Sequence, residues 1–454
     1  MLYEFLEVDK SGEKLLYEQL YENIRSAIGG GMLKKGDKLP SIRRLSEDIS
    51  VSRTTVETAY DQLCAEGYIS NSPKKGYFVE AEELELPRPQ KTYAAARTFD
   101  APCKYDFSSS SVDSSATDIK FWQRCIKEIL ERPAVITSYG LPQGEAELRR
   151  VLCEYSRRVR GVDAEPERVV IGAGTQTLLS VLLGLCADYG FNAAMERGFF
   201  PQGEQIFSDF RYDITPLFAD KNGIILSDDI KSRILFVNSS GSIRGSAPIP
   251  VNKRVQLIRW AARRDAVIIE DDFNGELRYT SKPVPALQSM SPSHVVYIGS
   301  FSKLLLPSVR ISYMVLPPKL AKRYAERRAN YNQTASKAEQ LALAQYISCG
   351  RLDRQLRRLR KLYSEKSAIM YGCVKSEFPE GTIIDVVETA LCVRIKLRSE
   401  LSLPELMRRA DEHRILLGKC REKNGLKYFY LSFSGLAVSE IPAAVSALRE
   451  ALVD

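Results

Sequence analysis

The stretch VVYIGSFSKLLLPSVRISYMVL, residues 295–316, places a single lysine, Lys303, between two apolar runs. The flanking runs VVYIG and ISYMVL are rich in β-branched and aromatic residues, which predicts two short strands joined by a tight loop. Lysine is rarely buried without a partner, so an exposed loop position is its ordinary environment. Loops held by a rigid sheet are also where binding residues concentrate. The residues around Lys303 therefore decide between these two interpretations.

Three polar neighbours of Lys303 favour a binding role. Ser300 and Ser302 supply hydroxyl groups, and Arg310 supplies a fork-shaped cation. Hydroxyls together with a guanidinium suit a phosphate group. A lysine amine that is removed from water suits a covalent bond with an aldehyde. Pyridoxal phosphate carries both groups, so the loop predicts a site for this cofactor.

Strand-like and helical patterns alternate on both sides of this loop. The runs RVVIGAG, RILFVNSS and DAVIIEDD predict strands, whereas AELRRVLCEYSRRV, TLLSVLLGLCADYG and VNKRVQLIRWAARR predict amphipathic helices. Such alternation indicates an α/β fold with a mainly parallel sheet that is covered by helices. After about residue 315, long charged helices lead into a smaller α+β end piece.

Length and composition restrict the class of protein. A chain of 454 residues exceeds one ordinary core, so we expect two domains, or one large domain with an appendage. The net charge of +8 permits a polyanionic partner without establishing one. Nine scattered cysteines and two histidines argue against a disulfide framework and a Cys/His metal site. No apolar window is long enough for a bilayer and no signal-peptide pattern is present, so we expect a cytoplasmic protein without a membrane partner.

The first 80 residues have a different pattern from the rest of the chain. In LPSIRRLSEDISVSRTTVETAYDQL, apolar residues recur at helical spacing on both sides of ISVS, which predicts two short helices joined by a tight turn. Ser52 is a natural N-cap for the second helix, whose first turn would direct Arg53, Thr54 and Thr55 towards base edges. The runs GYIS and GYFVE predict a hairpin, and its basic tip places Lys74 and Gly76 where a wing approaches DNA.

Small helical domains often contain such a turn, and acidic residues slightly outnumber basic ones before residue 81. The DNA-binding interpretation therefore depends on the position of the basic residues. The whole string LYEQLYENIRSAIGGGMLKKGDKLPSIRRLSEDISVSRTTVETAYDQLCAEGYI, followed by GYFV, closely resembles the winged helix-turn-helix domain of GntR-type bacterial regulators. The resemblance implies double-stranded operator DNA as a partner and a homodimer that matches two half-sites. The residues that match DNA contacts of that family are Ser41, Arg43, Ser52, Arg53, Thr54, Thr55 and Gly76.

The rest of the chain resembles fold-type I aminotransferases over nearly all of residues 105–454, and the fusion as a whole resembles MocR-type regulators. The predicted domains are a winged helix-turn-helix domain at 1–80, a linker at 81–104 and an aminotransferase-like domain at 105–454. In the family, SFSK supplies the aldimine lysine, here Lys303, and the first Asp of EDDFNGELRY, here Asp271, pairs with the pyridinium nitrogen. The resemblance assigns the phosphate to Ser300, Ser302, Arg310 and the turn Gly174, Thr175 and Gln176, and ring stacking to Phe200.

Three departures from the aminotransferase pattern concern the reacting end of the site. Phe273 stands where the family has a tyrosine whose hydroxyl reaches the cofactor's phenolic oxygen, and residues 241–246 read GSIRGS. Tyr430 stands where aminotransferases have an arginine that binds the substrate carboxylate. Without that clamp, an amino acid loses its principal orienting contact.

These observations leave three hypotheses. The first is a regulator whose aminotransferase-like domain binds pyridoxal phosphate and senses it, or a related small-molecule effector, without sustained turnover. The second is a working aminotransferase with an accessory DNA-binding domain. The third is a regulator whose sensor has lost the cofactor. The joint presence of Lys303, Asp271 and Arg310 favours the first.

Overall fold

The computed structural model describes residues 6, 8–9, 14–81, 103–108, 111–196, 200–220, 223–226, 230–241, 248–280 and 283–453. The chain divides into two compact units, Met1–Thr98 and Phe99–Asp454. Most of the predicted linker, residues 82–102, lies outside the described residues, and so does most of the GSIRGS stretch, residues 242–246. The domain bounds at residues 80 and 105 therefore stay a prediction.

The N-terminal unit contains three helices and a hairpin. The helices are α1 (Leu16–Gly29), α2 (Ile42–Asp48) and α3 (Arg53–Ala65), and the strands are β1 (Ile69–Ser72) and β2 (Gly76–Val79). The apolar positions of α2 and α3 are buried in one core, as their spacing predicts. Ser52 caps α3, since its Oγ accepts the backbone N–H of Thr55 at 3.1 Å. The two-helix arrangement with a hairpin after it is the predicted one.

The C-terminal unit holds the other elements of the described chain. Its strands are β3 (Tyr105–Asp106), β4 (Val169–Gly172), β5 (Asn192–Met195), β6 (Asp213–Pro216), β7 (Phe218–Asp220), β8 (Gly223–Ile225), β9 (Ile234–Val237), β10 (Val267–Asp271), β11 (Val295–Ser300), β12 (Ser312–Val315), β13 (Ile383–Val387), β14 (Cys392–Leu397), β15 (Ile415–Leu416), β16 (Cys420–Lys423) and β17 (Leu426–Ser432). Its helices are α4 (Ile119–Leu130), α5 (Pro133–Ile136), α6 (Ala146–Arg160), α7 (Thr175–Leu185), α8 (Pro201–Asp209), α9 (Val251–Arg264), α10 (Pro318–Arg327), α11 (Lys337–Ser348), α12 (Arg351–Glu377), α13 (Leu403–Glu412) and α14 (Ile441–Leu452).

A seven-stranded sheet forms the centre of this unit, in the order β4-β12-β11-β10-β9-β5-β6. Strand β12 runs antiparallel to both of its neighbours, and the other pairings are parallel. Successive residues of β10 pack on opposite faces: Ile268 joins a cluster with Leu257 of α9, whereas Ile269 joins one with Leu179 of α7. Helices therefore cover both faces, which confirms the predicted α/β architecture.

A smaller antiparallel sheet, β13-β14-β17-β16, follows the 27-residue helix α12. The other helices of this end piece, α13 and α14, share its hydrophobic core. The first strand of the unit, β3, pairs in parallel with β15, so the beginning of the C-terminal unit is tied to its end piece. This is the predicted α+β end piece.

The described residues contain neither a membrane-spanning helix nor a cluster of metal-binding side chains. No helix among them is long and apolar enough to cross a membrane. No group of His, Cys, Asp or Glu side chains in the same part of the chain is arranged to hold a metal ion.

A buried ion pair fixes the turn that follows β10. Arg160, 1% exposed at the end of α6, donates from Nε and Nη2 to the two carboxylate oxygens of Asp272, at 2.6 and 2.8 Å. Ser240 Oγ and the Tyr297 hydroxyl donate to the same carboxylate at 2.6 and 2.8 Å. A buried charge is tolerated only when it is paired and hydrogen-bonded in this way.

We predict that Arg160→Met lowers the free energy of unfolding by about 3–5 kcal/mol, because Asp272 stays buried without its partner. The matched control on the same helix is Arg158→Met, whose pair with Asp353 is half exposed and should contribute about 1 kcal/mol or less. Urea denaturation followed by tryptophan fluorescence reads the C-terminal unit alone, since Trp122 and Trp260 are the two tryptophans of the chain. Equal losses in both variants would contradict the prediction.

Candidate functional site

A cavity of about 350 Å³ lies at the carboxyl ends of the parallel strands. Parallel strands end at a common edge, so the residues that follow β4, β5, β9, β10 and β11 are brought together there. Seven of the nine predicted cofactor residues line the cavity: Thr175, Gln176, Phe200, Asp271, Ser300, Ser302 and Arg310. The lining also includes Gln202, Asn238, Gly241, Phe273, Thr389 and Ala390. Lys303 and Gly174 are not among the lining residues.

One end of the cavity has the chemistry of an anion site. Helix α7 begins at Thr175, so its unpaired N–H groups and its positive dipole end face this region. Arg310 Nη1 donates to Ser302 Oγ at 3.4 Å, and Ser300 Oγ lies 3.3 Å from Ser302 Oγ. Two hydroxyls, a guanidinium and a helix N-terminus together suit a phosphate group.

Gly174 allows the turn before α7 to approach Arg310. The residue has a φ of +94°, and a Cβ added there would lie 2.6 Å from Arg310 Nη2. Any side chain would therefore displace the guanidinium from the anion site. This close approach explains why the turn reads IGAGT at this point.

Asp271, at the end of β10, is the acidic group of the cavity. Burial, together with the smaller effect of the neighbouring carboxylates Asp272 and Glu270, raises its pKa to about 7. A cation in the cavity would favour the ionised form, because an opposite charge stabilises a carboxylate. A protonated pyridine ring nitrogen is such a cation, so Asp271 fits its predicted role.

Asn238 is a site residue that the sequence analysis missed. Its Oδ1 accepts the backbone N–H groups of Ser240 and Gly241 at 3.1 and 3.0 Å, which orients the amide. Its Nδ2 is buried and has no hydrogen-bond partner among the described residues. A buried donor without a partner is costly, so the cavity provides for an acceptor on a ligand. The cofactor's phenolic oxygen is such an acceptor, and the only signal in the sequence was the position of Asn238 directly after β9.

Two phenylalanines complete the walls. Phe200 packs against Phe236 with ring centroids 6.2 Å apart and 22° between the ring planes, and it presents an aromatic surface to the cavity. Phe273 lines the cavity after β10 and supplies no hydroxyl there. The structure thus places Phe273, one of the departures from the aminotransferase pattern, in the wall of the cavity.

Lys303 lies in the loop after β11 and is 8% exposed. Its Nζ donates to the carbonyl of Ser111 at 3.0 Å and to Ser434 Oγ at 3.4 Å. Burial lowers its pKa to about 8, although the nearby Asp106 carboxylate acts in the opposite direction. Near neutral pH, a lowered pKa leaves more of the amine unprotonated, which is the nucleophilic form. Lys303 is therefore a chemically competent partner for an aldehyde, and the ordinary loop lysine is excluded by its burial.

The residues present fit pyridoxal phosphate on three independent points. The anion site suits its phosphate, Asp271 suits its ring nitrogen and the orphaned Asn238 amide suits its phenolic oxygen. When bound, the cofactor supplies an aldehyde and an electron-poor ring. The chain's part is to hold it and to offer an amine of lowered pKa.

Comparison with known proteins agrees with this geometry. Residues 16–79 match the family of bacterial regulatory proteins called gntR, and residues 106–379 match aminotransferase class I and II. The uncharacterized HTH-type transcriptional regulator YdeL of Bacillus subtilis is 34% identical over 96% of each chain. The probable rhizopine catabolism regulatory protein MocR of Rhizobium meliloti is 30% identical over 84% of this chain and 81% of its own. The chain belongs to the MocR-type transcriptional regulators.

Other relatives support this membership. The HTH-type pyridoxine biosynthesis transcriptional regulator PdxR of Corynebacterium glutamicum is 32% identical over 78% of this chain and 77% of its own. A crystal structure of an archaeal alanine:glyoxylate aminotransferase covers 78% of this chain and 91% of its own, with a TM-score of 0.70 and 19% identity. That likeness shows the fold-type I architecture of the C-terminal unit. For a MocR-type regulator with an aminotransferase class I and II domain, the implied cofactor is pyridoxal phosphate.

The candidate DNA interface of this MocR-type regulator lies in the N-terminal unit. Arg53 and Thr54 are exposed in the first turn of α3, beside the half-buried Thr55. Lys74 is exposed at the hairpin tip, where it and Gly76 have positive φ angles of 67° and 104°. The other predicted contacts, Ser41, Arg43 and Ser52, are exposed at the starts of α2 and α3. DNA contacts by these residues stay a prediction.

We predict that Gly174→Ala weakens pyridoxal phosphate binding by about tenfold or more, because the new methyl group displaces Arg310 from the anion site. The matched control is Gly184→Ala in the same helix, where an added Cβ meets nothing within 4 Å. Binding is measured by titration of the apo protein and followed by cofactor absorbance. Equal affinities of the two variants would remove Gly174 from the site.

Proposed function

We propose that this regulator binds pyridoxal phosphate at Lys303 and uses the bound state, or its modification by a related small molecule, as a signal that controls operator binding. One observation carries the proposal. The cavity is lined by groups that suit the phosphate, ring nitrogen and phenolic oxygen of the cofactor, while Phe273 supplies no hydroxyl there. A site of this kind is better suited to hold a cofactor than to use it in turnover.

The surroundings of Tyr430 support the same conclusion. Tyr430 on β17 pairs directly across the end-piece sheet with Arg394 on β14. That arginine is already engaged, since its Nε and Nη2 donate to Asp385 Oδ2 at 3.0 and 2.7 Å. A guanidinium that is neutralised by a carboxylate does not replace the missing clamp on a substrate carboxylate. An amino acid would therefore lack its orienting contact.

The proposed DNA partner is a two-half-site operator that is bound by a homodimer in the cytoplasm. The exposed first turn of α3 favours base-edge contacts in the major groove. An exposed apolar strip of the C-terminal unit, Ile136, Tyr139 and Leu141, supports self-association, because such strips mark interaction surfaces. A two-fold dimer presents two winged helix-turn-helix domains to the two half-sites. The relative PdxR is named as a regulator of pyridoxine biosynthesis, which is consistent with a vitamin B6 signal in this chain as well.

We predict that Arg53→Ala reduces affinity for a duplex selected from a random-sequence library by about 10- to 100-fold, and leaves affinity for a scrambled duplex unchanged. Lys74→Ala, at the hairpin tip, should instead weaken both duplexes by a similar factor, because a phosphate contact carries no sequence information. Gel-shift titration at one fixed salt concentration separates the two patterns. Wild-type affinity of Arg53→Ala for the selected duplex would exclude Arg53 from the contacts.

The sensing role predicts reciprocal linkage. If pyridoxal phosphate changes the affinity for the selected duplex by some factor, the duplex must change cofactor affinity by the same factor. Titrating cofactor with and without DNA, and DNA with and without cofactor, measures both factors. We expect a factor of about 5 to 150, the usual range of such couplings. A factor of one would contradict the sensor.

The same preparation distinguishes the other two hypotheses. Repeated release of keto acid from a panel of amino acids would identify a working aminotransferase. Absence of cofactor absorbance at millimolar pyridoxal phosphate would identify a regulator that has lost the cofactor.

A further inference from the structure

The amine of Lys303 holds a segment of the chain that begins directly after the predicted linker. We call this segment the strap and define it as residues 103–108 and 111–113. The carbonyl of Ser111 in the strap accepts a hydrogen bond from Lys303 Nζ at 3.0 Å and another from Ser434 Oγ at 2.8 Å. The group predicted to bind the cofactor is thus also a group that fastens the strap.

Other contacts fasten the two ends of the strap. At its far end, Asp113 binds Nζ of the fully buried Lys366 at 2.7 Å, and its backbone N–H donates to the carbonyl of Ser434 at 2.7 Å. At its near end, the backbone N–H groups of Lys104 and Phe107 donate to the carbonyls of Arg414 and Leu416, at 2.8 and 2.9 Å. Ser434 and the lysine therefore hold the part of the strap that lies between these anchors.

Bond formation at Lys303 is incompatible with this double role. When an amine condenses with an aldehyde, a carbon–nitrogen double bond forms, and the aldehyde oxygen leaves as water. A protonated lysine amine has three N–H donors, whereas the condensed nitrogen keeps at most one. It can no longer donate to both Ser111 and Ser434, and the strap loses a charge-assisted hydrogen bond.

We propose that the strap is a latch on the free amine of Lys303, and that covalent binding of an aldehyde there loosens it. The inference rests on the proposed function for Lys303 as the attachment point. It adds a route by which binding of a ligand in the cavity changes the conformational freedom of the part of the chain that precedes the strap. The loosened region is centred on Ser111 and Asp113, while pairing of β3 with β15 holds the near end.

Hydrogen–deuterium exchange of the full chain, read by mass spectrometry, tests the latch. We expect the peptide that contains Asp113 to exchange about tenfold faster in the presence of saturating pyridoxal phosphate than in the apo protein, since one hydrogen bond to a charged group is lost. Apo Lys303→Ala should exchange as fast as the cofactor-loaded wild type and should not respond to the cofactor. Lys361→Ala, on the exposed part of α12, is the control and should exchange like the wild type.

The outcomes separate the latch from the proposed function. Equal or slower exchange in the cofactor-loaded protein, or unchanged exchange in apo Lys303→Ala, overturns the latch even if cofactor still alters DNA affinity. Faster exchange in both supports the latch, and constant DNA affinity in that case overturns the sensing function alone. Ser434→Ala provides a further check, because it removes a second donor to Ser111 together with the 3.4 Å contact between Ser434 Oγ and Lys303 Nζ, and should also speed exchange of this peptide in the apo protein.

Discussion

The common edge of five parallel strands is the constraint on which the candidate site depends. Each of β4, β5, β9, β10 and β11 ends at this edge, so residues that are far apart in the chain are delivered to one cavity. Strand β12 lies beside β11 in the sheet and runs antiparallel to it, so the loop that joins the two strands is tight. Lys303 lies in that loop and Arg310 at its end. The geometry of the sheet therefore brings an amine, an anion site and a carboxylate into the same region.

Burial at this edge gives the polar groups their chemical character. Removal from water raises the pKa of Asp271 and lowers that of Lys303, so both groups are less charged at neutral pH than they would be in solution. Arg160, Ser240 and Tyr297 surround the carboxylate of the adjacent Asp272 with hydrogen-bond donors. Asp272 thus holds the turn, and Asp271, the residue directly before it, is left to contact a ligand. Sequence adjacency hides this division, since Asp271 and Asp272 point to different surroundings.

Local patterns were sufficient for much of the fold and part of the site. Alternating apolar runs predicted the strands that flank the cavity, and the serine before α3 predicted its cap. They were insufficient where a role depends on distant partners. Asn238 is marked only by an amide that the folded chain leaves without a partner, and nothing in its own sequence window indicates this. The contacts of Lys303 with Ser111 and Ser434 span 192 and 131 positions, so no spacing rule detects them.

The retained and missing groups have one physical logic. Binding a cofactor needs complementary charge and a nucleophilic amine, and the chain offers Arg310 and Asp271 for the first and the buried Lys303 for the second. Turning over an amino acid needs in addition a contact that orients its carboxylate, and the guanidinium nearest to Tyr430 on the facing strand is neutralised by Asp385. A receptor can dispense with that contact, because a signal requires only that two states differ in free energy. The amine of Lys303 provides such a difference by itself, since its hydrogen bonds in the free state involve Ser111, which belongs to the segment that leads back along the chain towards the N-terminal unit. In the proposed latch, cofactor binding and chain conformation are coupled through this single nitrogen atom.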